Sequence, residues 1–367
     1  MKVIVVAGAR PNFMKVAPIL HAFARRGKCS GDIQVRFVHT GQHYDAKMSD
    51  DFLSELGIPC PDINLGVGSG SHAEQTARAM VGFESVCLAE KPDWVLVVGD
   101  VNSTLACSIS AKKLGIAVAH VEAGLRSMDR SMPEEINRIC TDAISDLLFT
   151  TDTIANENLY REGISPSRVH FVGNTMIDTL LRNLHRALDT PLPDGVENEK
   201  YAVLTLHRPA NVDSPEVLAS VSSAIDELSK TLPVVFPVHP RTRKNLREFG
   251  LMDRLSQKVL FTEPLSYLPF IGLAARSRMV LTDSGGIQEE TTVLGVPCIT
   301  MRANTERPIT CTVGTNVLVG TDGARIRAAV NSALTNTSRR RSIPEKWDGH
   351  SGERIVATLL DENSLCC

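Results

Sequence analysis

The chain has 367 residues, enough for two domains of about 150–180 residues rather than one ordinary core. Hydrophobic residues make up 43% and charged residues 22%, the balance of a soluble globular protein. A formal net charge of -3 leaves no basic footprint for nucleic acid or an anionic membrane surface.

The first apolar run, 3–7, is too short for a signal-peptide core, and no stretch of about 18 apolar residues follows it. The nine cysteines are scattered, with no C-x-x-C pair and no metal-type spacing to histidine. The expectation is a cytoplasmic protein with reduced thiols, no bound metal and no membrane segment. Strand-like runs at 2–7, 34–39, 94–99, 116–121, 147–150 and 169–172 alternate with helical periods at 15–26, 73–90 and 133–145. A second series at 201–206, 233–238, 259–262, 279–282, 297–301 and 316–319 is interleaved with helices such as 216–230. Val95-Leu96-Val97-Val98 and Val203-Leu204-Thr205-Leu206 are apolar on both faces, as buried parallel strands are. The pattern predicts an α/β protein of two Rossmann-like, doubly wound halves facing each other. The polar stretch 189–200, with three Pro or Gly residues, marks the connection. The domains are placed at 1–175 and 176–351, with a last helix at about 352–363 expected to pack back on the first.

Ligands of open parallel sheets bind at the carboxyl ends of the strands, and there this sequence is polar. The first strand ends in Gly8-Ala9-Arg10-Pro11-Asn12, read as a sharp loop, with Lys15 in the following helix. Later ends carry His39-Thr40-Gly41-Gln42-His43, Gly99-Asp100 and His120-Val121-Glu122. The second half repeats the habit with His207-Arg208, His239-Pro240-Arg241 and Asp283-Ser284-Gly285-Gly286. Each has a plainer reading taken singly. Asp100 with Ser103 reads as a turn and helix cap, and Pro133-Glu134-Glu135 as an ordinary helix start. His207 and His239 read as structural histidines, and Ser284-Gly285-Gly286 as a tight turn. Together they argue for an active cleft between the halves. Ser284 capping a helix, with two glycines admitting a ligand to the backbone amides, would suit a diphosphate. Arg10, Lys15 and Arg307 could neutralise it. The first turn has no G-x-G-x-x-G and the chain no P-loop, so neither a dinucleotide nor a nucleoside triphosphate is expected.

Read together, Gly8-Ala9-Arg10-Pro11, Thr40-Gly41-Gln42-His43, Gly99-Asp100, His120-Val121-Glu122-Ala123-Gly124-Leu125-Arg126 and Pro133-Glu134-Glu135 resemble the non-hydrolysing UDP-N-acetylglucosamine 2-epimerases. So do Gly173-Asn174-Thr175, His207-Arg208, Pro237-Val238-His239-Pro240, Thr282-Asp283-Ser284-Gly285-Gly286 and Thr305-Glu306-Arg307-Pro308, in family order over residues 3 to about 360. The resemblance implies a GT-B fold with the nucleotide-sugar in the inter-domain cleft, a homodimer, no cofactor, and a role in supplying surface polysaccharide precursors. It implies Asp100, Glu122 and Glu134 as catalytic carboxylates, with His207 assisting at the diphosphate. UDP would lie mainly on the second domain, with Ser284, Gly285 and Gly286 at the diphosphate and Glu290 at the ribose. Arg10, Lys15, His43, Arg208, His239 and Arg307 complete the substrate contacts.

Two departures stand out. The stretch 126–133 is about two residues shorter than in many bacterial members. Pro209 and Ala210 replace the Arg-Glu of the familiar His-Arg-Arg-Glu-Asn, so activation through a second UDP-sugar site is not expected here. The shorter pattern also resembles the branch acting on UDP-2,3-diacetamido-2,3-dideoxy-glucuronate. A hydrolysing relative, a GT-B glycosyltransferase and a sugar-nucleotide-binding protein are the other readings, and the three carboxylates argue against simple binding.

Overall fold

The computed structural model describes residues 1–27, 33–41, 53–255, 258–335 and 342–365, without the side chains of residues 10 and 363–365. Two compact units account for the chain, one of 1–182 with 345–367 and the other of 183–344.

The first unit is built on seven parallel strands: β1 (Lys2–Ala7), β2 (Gln34–His39), β3 (Ile63–Asn64), β4 (Trp94–Val98), β5 (Ala117–Ala123), β6 (Leu147–Thr150) and β7 (Val169–Phe171). Their order is β3-β2-β1-β4-β5-β6-β7, so the winding reverses between β1 and β4. The second holds six parallel strands: β8 (Ala202–Thr205), β9 (Val234–Pro237), β10 (Val259–Thr262), β11 (Met279–Thr282), β12 (Cys298–Thr300) and β13 (Asn316–Leu318). In the order β10-β9-β8-β11-β12-β13 the reversal falls between β8 and β11. All five residues of β4 are buried, as a strand covered by helices on both faces requires.

The sequence reading is corrected in two places. A seventh strand, β3, lies at the edge of the first sheet and is two residues long, too short to leave a period. The loop expected at 8–12 is shorter than read, because the helix Arg10–Gly27 begins at Arg10, with Pro11 in its first turn. Proline lacks only an amide that the first turn does not use. Asn12 then turns back to cap the entry, its Oδ1 accepting from the amides of Gly8 and Ala9 at 3.1 and 2.9 Å.

The C-terminal segment closes the first unit. Trp347 donates from Nε1 to the carbonyl of Thr151 at 2.9 Å, and Gly352 donates its amide to Asp178 at 2.8 Å. A Cβ on Gly352 would lie 2.7 Å from the backbone of Pro18, so the helix Ser351–Leu365 approaches Arg10–Gly27 closely. Among the described residues no helix is long and apolar enough to cross a membrane.

Gly173, after β7, has φ +93°, and a Cβ there would strike the carbonyl oxygen of Lys346. Gly173→Ala is therefore expected to lower stability by about 2–4 kcal/mol. A urea unfolding curve with an unchanged midpoint would contradict this docking of the C-terminal segment.

Candidate active site

The reversal between β1 and β4 brings the polar residues of the first unit together. Gly99 follows β4 with φ +67°, and a Cβ there would lie 2.9 Å from Lys15 Nζ and 3.7 Å from Glu122 Oε2. The missing side chain makes room for an ion pair between Lys15 Nζ and Glu122 Oε2, both more than nine-tenths buried. Glu122 sits where the β5–β6 register shifts, and its φ is +71°. A non-glycine residue pays about 1–3 kcal/mol for such a conformation, so the surroundings must hold it there. The bulge aims the carboxylate at Lys15.

Beside this pair, Arg138 donates from Nε and Nη2 to Asp100 Oδ2 at 3.0 and 2.7 Å. Its Nη1 donates to Glu135 Oε2 at 2.6 Å, and Glu135 also accepts from the amides of Ser127 and Met128. The helix-cap reading of Asp100 is therefore corrected: the cap position of Asn102–Lys113 belongs to Val101. The helix Pro133–Ile144 does begin with proline and two acids, but the acids divide. Glu134 is exposed, whereas Glu135 is buried and fixed. Arg138, Glu135 and Asn12 bond to or lie beside these candidate residues, and the sequence reading left them unassigned.

In the second unit, pairing of β8 with β11 sets His207 beside Asp283. His207 Nδ1 donates to Asp283 Oδ1 at 2.9 Å, and the amides of His207 and Arg208 donate to Oδ2 at 3.0 and 2.9 Å. Burial pushes the Asp283 carboxyl up, but the hydrogen bond and charge of His207, with the two amides, outweigh it and hold the group below the usual carboxylate range. His207 is thus oriented by a fixed carboxylate while half of its side chain faces solvent. Arg208 stands at the N-cap of the short turn Pro209–Val212.

Ser284 occupies the N-cap of Gly285–Leu294, but its side chain makes no capping bond, unlike the expected cap. The amides of a first helical turn lack intrahelical acceptors, which suits an anion. Next to them, a Cβ on Gly285 would lie 2.7 Å from Glu306 Oε1 and 2.9 Å from Arg307 Nη1. Arg307 is buried and committed to Glu289, at 2.9 Å, and to Glu306, which also pairs with Arg302 at 2.8 Å. Gly286 lies in the same first turn, and Glu290 is buried on the next turn of that helix. His239 is exposed and caps Pro240–Glu248, accepting from the Arg241 amide at 3.3 Å. Two arginines near the strand ends are spoken for, Arg241 by Asp213 and Arg126 by Asp142 and Glu162. His43 and the side chain of Arg10 lie outside the described residues.

The family profile described as UDP-N-acetylglucosamine 2-epimerase matches residues 26–360. The chain belongs to this family. It is an epimerase, of the isomerase class. The UDP-N-acetylglucosamine 2-epimerase of Methanocaldococcus jannaschii is 45% identical over 368 residues, 98% of this chain and 99% of the relative. The UDP-2,3-diacetamido-2,3-dideoxy-D-glucuronate 2-epimerase of Pseudomonas aeruginosa is 43% identical over 343 residues, 92% and 93% of the two chains. The crystal structure of the M. jannaschii UDP-GlcNAc 2-epimerase in complex with UDP-GlcNAc and UDP superposes with a TM-score of 0.87 at 43% identity, covering 98% of this chain and all of that one. With two parallel sheets ordered as above, this epimerase has the α/β GT-B fold.

Glu290 gives the site a measurable signature. Burial pushes its carboxyl up to about 8, against the pull of the Tyr267 hydroxyl, and the charge of Glu289 adds to the rise. A carboxyl raised on folding favours the native state while protonated, so stability present at low pH is lost as pH climbs from about 4.3 through 8. Glu290→Gln removes that ionisation. The fall in Tm between about pH 5 and pH 8.5 is expected to be smaller in the variant by at least about 3 °C. Equal falls in both proteins would place the titration elsewhere.

Proposed function

We propose that this epimerase inverts C2 of UDP-N-acetylglucosamine to give UDP-N-acetylmannosamine, by eliminating UDP and adding it back. The C2 hydrogen of the sugar has no neighbouring carbonyl, so its removal must be coupled to loss of the group at C1. In the first step a carboxylate takes the C2 proton, the C1–oxygen bond to UDP breaks, and C1=C2 forms as 2-acetamidoglucal. In the second, a proton is delivered to the other face of C2 and UDP returns its oxygen to C1. The route needs carboxylates at C1 and C2 and a neutralised, retained diphosphate.

The observation that carries this reading is Glu122, a buried carboxylate in strained backbone, paired with Lys15 beside the Gly99–Asp100 turn. Asp100, Glu122 and Glu134 are the proposed carboxylates. His207, oriented by Asp283, serves the diphosphate with Ser284, Gly285 and Gly286, and Arg10 and Lys15 neutralise it. Glu290 takes the ribose hydroxyls, and His43, Arg208, His239 and Arg307 complete the contacts. The M. jannaschii relative, crystallised with UDP-GlcNAc and UDP, supports the choice of sugar. A second reading has support of its own: the P. aeruginosa relative is a 2-epimerase of a diacetamido-uronate, at nearly the same identity. The chemistry at C2 would be the same.

The test is NMR in heavy water with purified enzyme and no added NAD. UDP-N-acetylglucosamine is expected to equilibrate with its manno epimer, with deuterium entering C2. Exchange confined to the diacetamido-uronate would favour the second reading, and no exchange with either would contradict both.

A further inference from the structure

Another buried acid of the first unit makes bonds that all turn back into the protein. Asp142, on the helix Pro133–Ile144, is fully buried. Its Oδ1 accepts from His120 Nδ1 at 2.6 Å. Its Oδ2 accepts from the Gly124 amide at 3.1 Å and pairs with Arg126 Nη1 at 2.8 Å. His120 lies two residues before Glu122 and Gly124 two after it. One carboxylate thus grips the chain on both sides of the residue with φ +71°.

The grip extends further through the imidazole. His120 Nε2 donates to the Gly99 carbonyl at 2.8 Å, on the peptide that leads into Asp100. The Gly99 amide donates in turn to the Val121 carbonyl at 3.0 Å, so the turns carrying Asp100 and Glu122 are tied at two points. Arg126 anchors the far side, donating from Nε and Nη2 to Glu162 at 2.8 and 2.6 Å. Asn158 closes the ring by donating to the Gly124 carbonyl at 3.0 Å. Burial pushes the Asp142 carboxyl up, but His120 and Arg126 outweigh it and keep the group below the usual range, an anion accepting from every side.

We propose that Asp142 and His120 are positioning residues of the epimerase reaction. Asp142 fixes Glu122 in its left-handed conformation and, through the His120 ring, sets the Gly99–Asp100 peptide in register with it. This rests on the reading of Glu122 and Asp100 as carboxylates that act at the sugar. A buried network of this kind also contributes to stability, and the two roles separate in kinetics. Small displacements of catalytic groups lower kcat, whereas lost stability alone leaves the folded fraction fully active.

The experiment measures kcat and KM of Asp142→Asn on whichever of the two UDP-sugars the wild type turns over. Leu159→Ala serves as the stability control. It empties an apolar cluster with Ala123, Leu148 and Val169 and touches no bond of Asp142. Asp142→Asn is expected to lower kcat by about 30-fold or more with KM within about threefold, while Leu159→Ala, though less stable, keeps kcat within about threefold. If Asp142→Asn does not fold, His120→Asn carries the same expectation, since it keeps a donor towards Asp142 and drops the Gly99 contact. A folded variant with near-wild-type kcat, or a loss matched by Leu159→Ala, would overturn the assignment. Failure of both variants to fold would make the pair structural and overturn it too. A wild type inert towards both sugars would overturn the functional reading, and this assignment with it.

Discussion

Lys15 and Glu122 meet as a buried ion pair whose members come from the first helix and the end of β5. Neither charge tolerates burial alone; removing one partner from such a pair leaves an uncompensated charge that costs about 3–5 kcal/mol. Three further features exist to let them meet. Gly99 gives up its side chain, Asn12 holds the Gly8–Ala9 turn that leads into the helix of Lys15, and the bulge in β5 turns Glu122 off the strand. The strained backbone of Glu122 is the visible cost of that geometry. Strain held this firmly at a strand end is characteristic of functional sites.

The buried carboxylates of the protein stand in opposite electrostatic states. Asp283 and Asp142 are surrounded by donors, and each stays ionised as a fixed acceptor that orients a histidine. Glu290 is buried beside another acid, Glu289, whose own partner is Arg307, and its proton is retained up to about pH 8. A carboxyl in that condition is poised to gain donors from a ligand. Ribose hydroxyls would supply them. The same physical terms, burial against hydrogen bonding and charge, separate the ionised Asp283 and Asp142 from the protonated Glu290 proposed to meet the nucleotide.

Much of this was legible in the sequence, and the misses have causes. Parallel strands announce themselves because both faces are apolar, and Val95–Val98 could hardly be anything else; two-residue β3 leaves no such signal. Gly8 and Pro11 read as loop residues, yet proline at the first turn is compatible with helix, so Arg10 opens a helix instead. Glu122 stood out as an acid directly after a buried strand. Asp142 did not, although Glu135, Arg138 and Asp142 follow one another at helical spacing on a buried face. A polar stripe on the face of a helix that should be apolar was the available clue. Partners such as Asp283 for His207 depend on which strands are neighbours, and that is a property of sheet order rather than of local pattern.

The account turns on Glu122 acting at the sugar rather than merely holding Lys15. The most direct measurement is the rate of deuterium exchange at C2 by Glu122→Gln, with UDP affinity measured by calorimetry on the same folded sample. The account predicts exchange slowed by about two orders of magnitude or more, with UDP binding within about threefold of wild type. Exchange at near-wild-type rate would contradict it, and would leave the Lys15–Glu122 pair a structural contact only.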